Sequence, residues 1–289
     1  MLDRRIGLAV GTTPLLAFVA AVLVLAPAHG PGMAVSVAAV ALLLAAGHLL
    51  IGIAAVPFLA LGSVAQLGAW IGVALGGWSG PLPAAMMASL AGAAVLACLA
   101  STLMTSAPAL VAGLTLAFAG LTSMVPAVVP TGTGATATPI IVGAVALLGL
   151  LAADIVGRSS VGLALPALRR DWHLAALPGC EPKALALVPA TLAGLLAAAA
   201  GAILTLAPGS GLEQLHRDAS VLSLGSAAAI WLAGERGLGA ALLVGSAILV
   251  APAAGMTLWP GLPDLRLPLI GLALAWLLLR RMWKDARRG

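Results

Sequence analysis

The sequence predicts an all-α protein: a polytopic transmembrane bundle of about ten helices with both termini in the cytoplasm. Three observations lead there. Hydrophobic residues make up 62% of the 289 and charged residues only 8%, whereas a soluble domain carries about 25% charged residues. The apolar residues come in runs near the length that spans a bilayer core, about 20 residues, divided by clusters of turn-forming residues. When the runs alternate across a membrane from a cytoplasmic N-terminus, all but Arg217 and Arg266 of the 14 Lys and Arg collect on the inner side. That imbalance is the one cytoplasmic loops show.

Taken in order, the first span is Ile6–Ala26, preceded by Arg4 and Arg5 and closed by residues 27–32, Pro-Ala-His-Gly-Pro-Gly. Basic residues ahead of an apolar run resemble a signal peptide, but no persuasive cleavage site follows, so a retained first helix is expected. The second span is Met33–Val56, stopped by Pro57, and the third is the shorter, Gly-rich Leu59–Gly76. Residues 77–81, Gly-Trp-Ser-Gly-Pro, read as a turn. Then come Leu82–Met104, Ala109–Val125 behind Pro108, an uncharged Thr, Gly and Pro loop over 126–139, and Ile140–Val156. A polar interval follows at 158–183. The last four spans are Ala184–Leu206, Ala219–Ala233, Leu238–Met256 and Leu267–Leu279, the last running into a basic tail. The short third and eighth segments are open to a second reading as broken or re-entrant helices, which are tolerated where they line a cavity or are buried in protein. The whole chain, 1–289, reads as a single domain.

Several function classes lack their residues. There is no Gly-x-x-x-x-Gly-Lys-Ser/Thr loop, no His-Glu-x-x-His and no Gly-x-Ser-x-Gly, so neither P-loop hydrolysis of ATP nor metalloprotease or serine-hydrolase chemistry has its parts. Cys98 and Cys180 show neither disulfide nor metal spacing. The sequence pI near 10.6 fits cytoplasmic membrane loops better than nucleic-acid binding. The expected metals and cofactors on this chain are none.

Ion-coupled carriers usually hold charged groups in the bilayer, where they are costly and kept for function. The deep parts of these spans hold none. Asp154 lies at the inner end of the sixth span, one turn from Arg158, the spacing of a helix-end ion pair. His48 either faces a pathway or is a packed or interfacial histidine. Ser63, Gln66, Thr115 and Ser123 are the uncharged polar groups that could line a weakly binding passage. Interhelical hydrogen bonding is their commoner role.

The interval 158–183 is the longest polar-bearing stretch. It is either a plain inner-face connector or an amphipathic segment. Leu163, Leu165, Leu168 and Trp172 supply apolar groups beside Arg169, Arg170, Asp171 and His173. Such a segment suits a partner's groove or the lipid interface.

Its residues resemble a known pattern. Gly162-Leu-Ala-Leu-Pro-Ala-Leu-Arg-Arg-Asp-Trp-His-Leu-Ala-Ala-Leu-Pro-Gly179 is similar to the cytoplasmic coupling loop of permease subunits from branched-chain amino acid type ABC importers. Gly162, Ala164, Leu165, Ala167, Asp171, Ala175, Leu177 and Gly179 fit that loop without a gap. Leu163 and Pro166 stand where arginines are usual, and His173 where an acidic residue is common, which marks a divergent branch. Ala60-Leu-Gly-Ser-Val-Ala-Gln-Leu-Gly-Ala-Trp70 resembles the family's Ala-His-Gly…Leu-Gly-Ala-Tyr segment, with Leu61 for the His and Trp70 for the Tyr. Residues 193–202 are similar to the small-residue helix after the loop, and 232–239 to a degraded Leu-Gly-Gly-x-Gly stretch.

The resemblance implies a multi-pass permease of the bacterial inner membrane without an ATPase site of its own. Its implied partners are ABC ATPase subunits carrying ATP and Mg, a second permease of the same or a different chain, an extracytoplasmic solute-binding protein, and lipid. Leu165, Leu168, Arg169, Arg170, Asp171, Trp172 and His173 would make the ATPase contacts. The implied solute is a hydrophobic amino acid or a related amide or carboxylate. A stand-alone carrier or exporter of small amphipathic solutes and a structural subunit of a membrane complex are the alternatives.

Overall fold

The structure is a computed structural model that describes residues 31–53, 61–79, 81–103, 139–159 and 182–206, together with 19, 22, 23 and 26. Among the described residues there is no strand. Five helices appear: α1 (Pro31–Ile53), α2 (Leu61–Ser79), α3 (Pro81–Leu103), α4 (Pro139–Arg158) and α5 (Pro182–Leu206). They coincide with the second, third, fourth, sixth and seventh spans read from the sequence. Val19, Val22, Leu23 and Ala26 of the first span are also helical. Val22 and Ala26 pack on the core while Val19 and Leu23 point outward, the i, i+4 alternation of a helix. The fifth, eighth, ninth and tenth spans lie outside the described residues.

Four of the five helices open on a proline. Its ring sets a helical φ, and its missing N–H is one that the first turn leaves without an intrahelical partner anyway. The same residue closes what precedes it, since proline disfavours helical backbone one residue upstream. This explains a difference from the sequence reading at 77–81. Gly77, Trp78 and Ser79 continue α2, and only Gly80 separates it from α3. Glycine inside a helix costs about 1 kcal/mol, which α2 bears, whereas Pro81 cannot be extended into from behind. The third segment is therefore not broken: α2 is continuous over 19 residues.

Helix α5 sits at the centre. It packs extensively on α3, α2 and α1, α2 packs on α3, and α4 lies on the far side of α1 with only marginal contact to α5. Gly68 of α2 lies against the backbone of Ala198, and Gly201 of α5 against the carbonyl of Ala65. Leu61 at the start of α2 and Ala193 of α5 both border Gly47, while Gly68 lies at Ala198, so α2 and α5 run in the same direction and cross closely at these pairs. Gly92 of α3 and Gly194 of α5 face each other, a Cβ on Gly92 falling 2.6 Å from the Gly194 oxygen. Small residues at such crossings let backbones approach and gather dispersion contacts along the full seam.

Polar groups inside the helices are turned on their own backbone. Ser89 Oγ donates to the Ala85 carbonyl at 2.7 Å and Thr191 Oγ1 to the Val188 carbonyl at 2.8 Å. At the end of α4, Ser159 closes the last turn twice. Its N–H reaches the Ile155 and Val156 carbonyls at 3.0 and 3.2 Å, and its Oγ donates to Val156 at 2.7 Å. Carbonyls that the helix terminus would otherwise leave open are thereby partnered.

Burial separates two kinds of helix. In α1, Leu42 through His48 are all buried, so every face of two turns is covered. In α3 and α4 a single stripe is buried: Ala88, Gly92 and Leu96, and Val142, Ala146, Leu150 and Ala153. Their outer faces are apolar. Met86, Met87 and Leu90 stand exposed on α3, and Ile140, Ile141, Val145, Leu148, Leu151 and Ile155 on α4. Among the described residues no helix is long and apolar enough to cross a membrane.

Candidate polar site at the α1 and α2 core

Four polar side chains are buried in this apolar interior: Ser36 and His48 on α1, and Ser63 and Gln66 on α2, each between 3 and 5% exposed. The fold places the two helices for this. Gly47, the residue before His48, has Leu61 of α2 and Ala193 of α5 as its neighbours, 3.6 and 3.4 Å from where its Cβ would lie. Ser63 follows Leu61 by two positions. Ser63 and Gln66 are one turn apart on the same face of α2. Hence the second half of α1 and the first turns of α2 converge on the middle of α5, and His48, Ser63 and Gln66 belong to that region of the bundle.

Each of the four side chains belongs to a residue that makes at least one polar or ring interaction. That is the expected state, since a buried polar group left without hydrogen bonds costs about 1–3 kcal/mol. The carboxamide oxygen of Gln66 accepts no hydrogen bond from the described residues, although Gln66 itself does engage a partner. His48, Ser63 and Gln66 bring an imidazole, a hydroxyl and a carboxamide, while Ser36 lies twelve residues before His48, about 18 Å away along α1. Such groups exchange hydrogen bonds with a dipolar solute or with one another, and bring no fixed charge. Among the described residues no three His, Cys, Asp or Glu gather as a metal site would require.

Of the residues singled out in the sequence, His48, Ser63 and Gln66 are thus buried in one part of the core. Thr115 and Ser123 lie outside the described residues, as do Leu165, Leu168, Arg169, Arg170, Asp171, Trp172 and His173. Ser36 was missed. The signal that found Ser63, a small polar residue inside an apolar run, applies to it equally.

Comparison with family models, with curated proteins and with solved structures finds no match for this chain.

Proposed function

We propose that this chain is a membrane-embedded permease subunit of an ATP-driven importer, coupled to a separate ATPase through residues 158–183. The observation that carries the membrane part is the apolar outer face of α3 and α4. In water, six exposed Ile, Val and Leu on one 20-residue helix would form a patch of the kind that drives association. In a bilayer they are simply wetted by lipid. The helices are 19–25 residues long, roughly 28–38 Å at the α-helical rise, against a hydrocarbon core of about 30 Å. Helices α1, α2 and α3 contain no Asp, Glu, Lys or Arg. That no described helix is both long and apolar enough to cross a membrane weighs against the membrane part. Length and side-chain content weigh more here, because they set the cost of insertion directly.

The importer part is supported by the loop 162–179 and its resemblance to coupling loops. That α1, α2 and α3 hold no Asp, Glu, Lys or Arg fits a pathway that leaves substrate selection to a separate binding protein and energy to a separate ATPase. The solute class is a hydrophobic amino acid or a related small amide or carboxylate. A structural subunit is the second reading, favoured by the backbone-to-backbone contact of α5 with α2 and α3.

The test is replacement of Arg169 and Arg170 together by Glu in the full chain, expressed in its source cell and read by co-purification of an ATPase subunit. Like-charge juxtaposition at an interface costs several kcal/mol, so ATPase co-purification drops on the order of 100-fold while helical content is kept. Unchanged assembly and transport would remove the coupling claim. Assembly without any solute flux in the unmutated complex would select the structural subunit.

A further inference from the structure

We infer that Pro189 is a hinge dividing α5 into a movable entry segment, Pro182–Val188, and a fixed body from Ala190 onward. Its role in coupling rests on the reading of 158–183 as the docking loop; its existence as a hinge does not.

Pro189 is the eighth residue of the 25-residue helix and lies inside it. It has no N–H, so the Leu185 carbonyl one turn back has no helical donor, and the ring crowds that same carbonyl. The ladder therefore lacks one bond where the entry segment joins the body. Thr191 Oγ1 donates to the Val188 carbonyl at 2.8 Å, immediately across the proline. A hydroxyl turned back on the helix competes with the backbone ladder, and helix kinks occur at prolines and where a side chain enters the ladder. Both causes coincide here.

Packing changes at the same residue. Val188 is 42% exposed, and Leu185 and Leu187 are partly exposed. Pro189 is among the most completely buried side chains, and Ala193, Leu196, Ala197, Ala198 and Ala200 are buried. The body is also held by contact with three other helices at Ala193, Gly194, Ala198 and Gly201. One end of α5 is thus clamped on α1, α2 and α3, and the other, which continues directly from the loop, is not. A force applied at 158–181 turns the entry segment about Pro189 before it disturbs the clamped body.

Hydrogen exchange of the full chain in detergent, read by mass spectrometry, tests the hinge. In the unmutated protein the amides of Ala186, Leu187 and Val188 exchange faster than those of residues 193–203. In Pro189→Ala, which restores the missing N–H, they become about tenfold better protected, with 193–203 unchanged. Equal protection on both sides of Pro189 in the unmutated protein overturns the hinge, as does no change in the variant. The coupling role is read in the assembled transporter: Pro189→Ala binds the ATPase as before but loses most transport. Retained transport overturns that role, whereas failure of even the unmutated chain to bind an ATPase overturns the importer reading and leaves the exchange result standing.

Discussion

Alanine at Gly201 and alanine at Gly47 are expected to shift stability in opposite directions. A Cβ on Gly201 would overlap the Ala65 carbonyl, with the Ala65 carbon at 2.6 Å and its Cα at 3.0 Å. Ordinary contact begins near 3.4 Å, so α2 and α5 must part by about 1 Å. The obstacle is backbone in a helix that is itself packed on α3, so it does not yield as a side-chain tip would. Overpacking of this kind costs about 3 kcal/mol, the upper part of the usual range. Alanine returns about 1 kcal/mol in helix propensity. The net is a loss of about 2 kcal/mol. At Gly47 the same Cβ meets Ala193 O at 3.4 Å, Leu61 Cδ1 at 3.6 Å and Ala193 Cα at 3.7 Å. These are contacts rather than overlaps, and the propensity gain of up to about 1 kcal/mol is kept. The assay is reversible denaturant unfolding in mixed micelles followed by circular dichroism, with both variants at matched detergent. A Gly201→Ala protein as stable as the parent, or equal shifts for the two variants, would refute the close crossing of α2 on α5.

The remaining predictions address the medium. Leu148 lies at the middle of α4 and is 66% exposed; Leu148→Lys costs about 3 kcal/mol of insertion if that face meets lipid, seen as loss of membrane-fraction protein, and is harmless if it meets water. Cys98 is exposed on α3 and in no disulfide, so in vesicles it reacts with a lipid-soluble maleimide and is spared by a charged, impermeant one. Equal labelling by both reagents would place that face in water.

Much of the helical layout was legible in the chain. Runs of about 20 apolar residues located all five described helices to within three residues at either end. The miss at the end of α2 came from treating Gly77-Trp78-Ser79 as a turn, when the residue that forbids helix is Pro81. Prolines also mark four helix starts, at Pro31, Pro81, Pro139 and Pro182, the signal that the sequence reading uses only at Pro108. Of the candidate site, His48, Ser63 and Gln66 stood out as polar interruptions. Their convergence did not, because it depends on α1 and α2 meeting across α5 rather than on neighbourhood in the chain.

The sequence by itself determined where helices form and that they are apolar on nearly every side. It could not say which side of each is inner. Leu, Ala and Val are distributed almost evenly around these helices, so no amphipathic stripe orients them. What orients them is close fit, and close fit is a property of two helices at once. Only the tertiary structure decided that α5 is the central element, that Gly68, Gly92, Gly194 and Gly201 are crossing points while Gly47 has room, and that Pro189 falls where the clamped part of α5 begins.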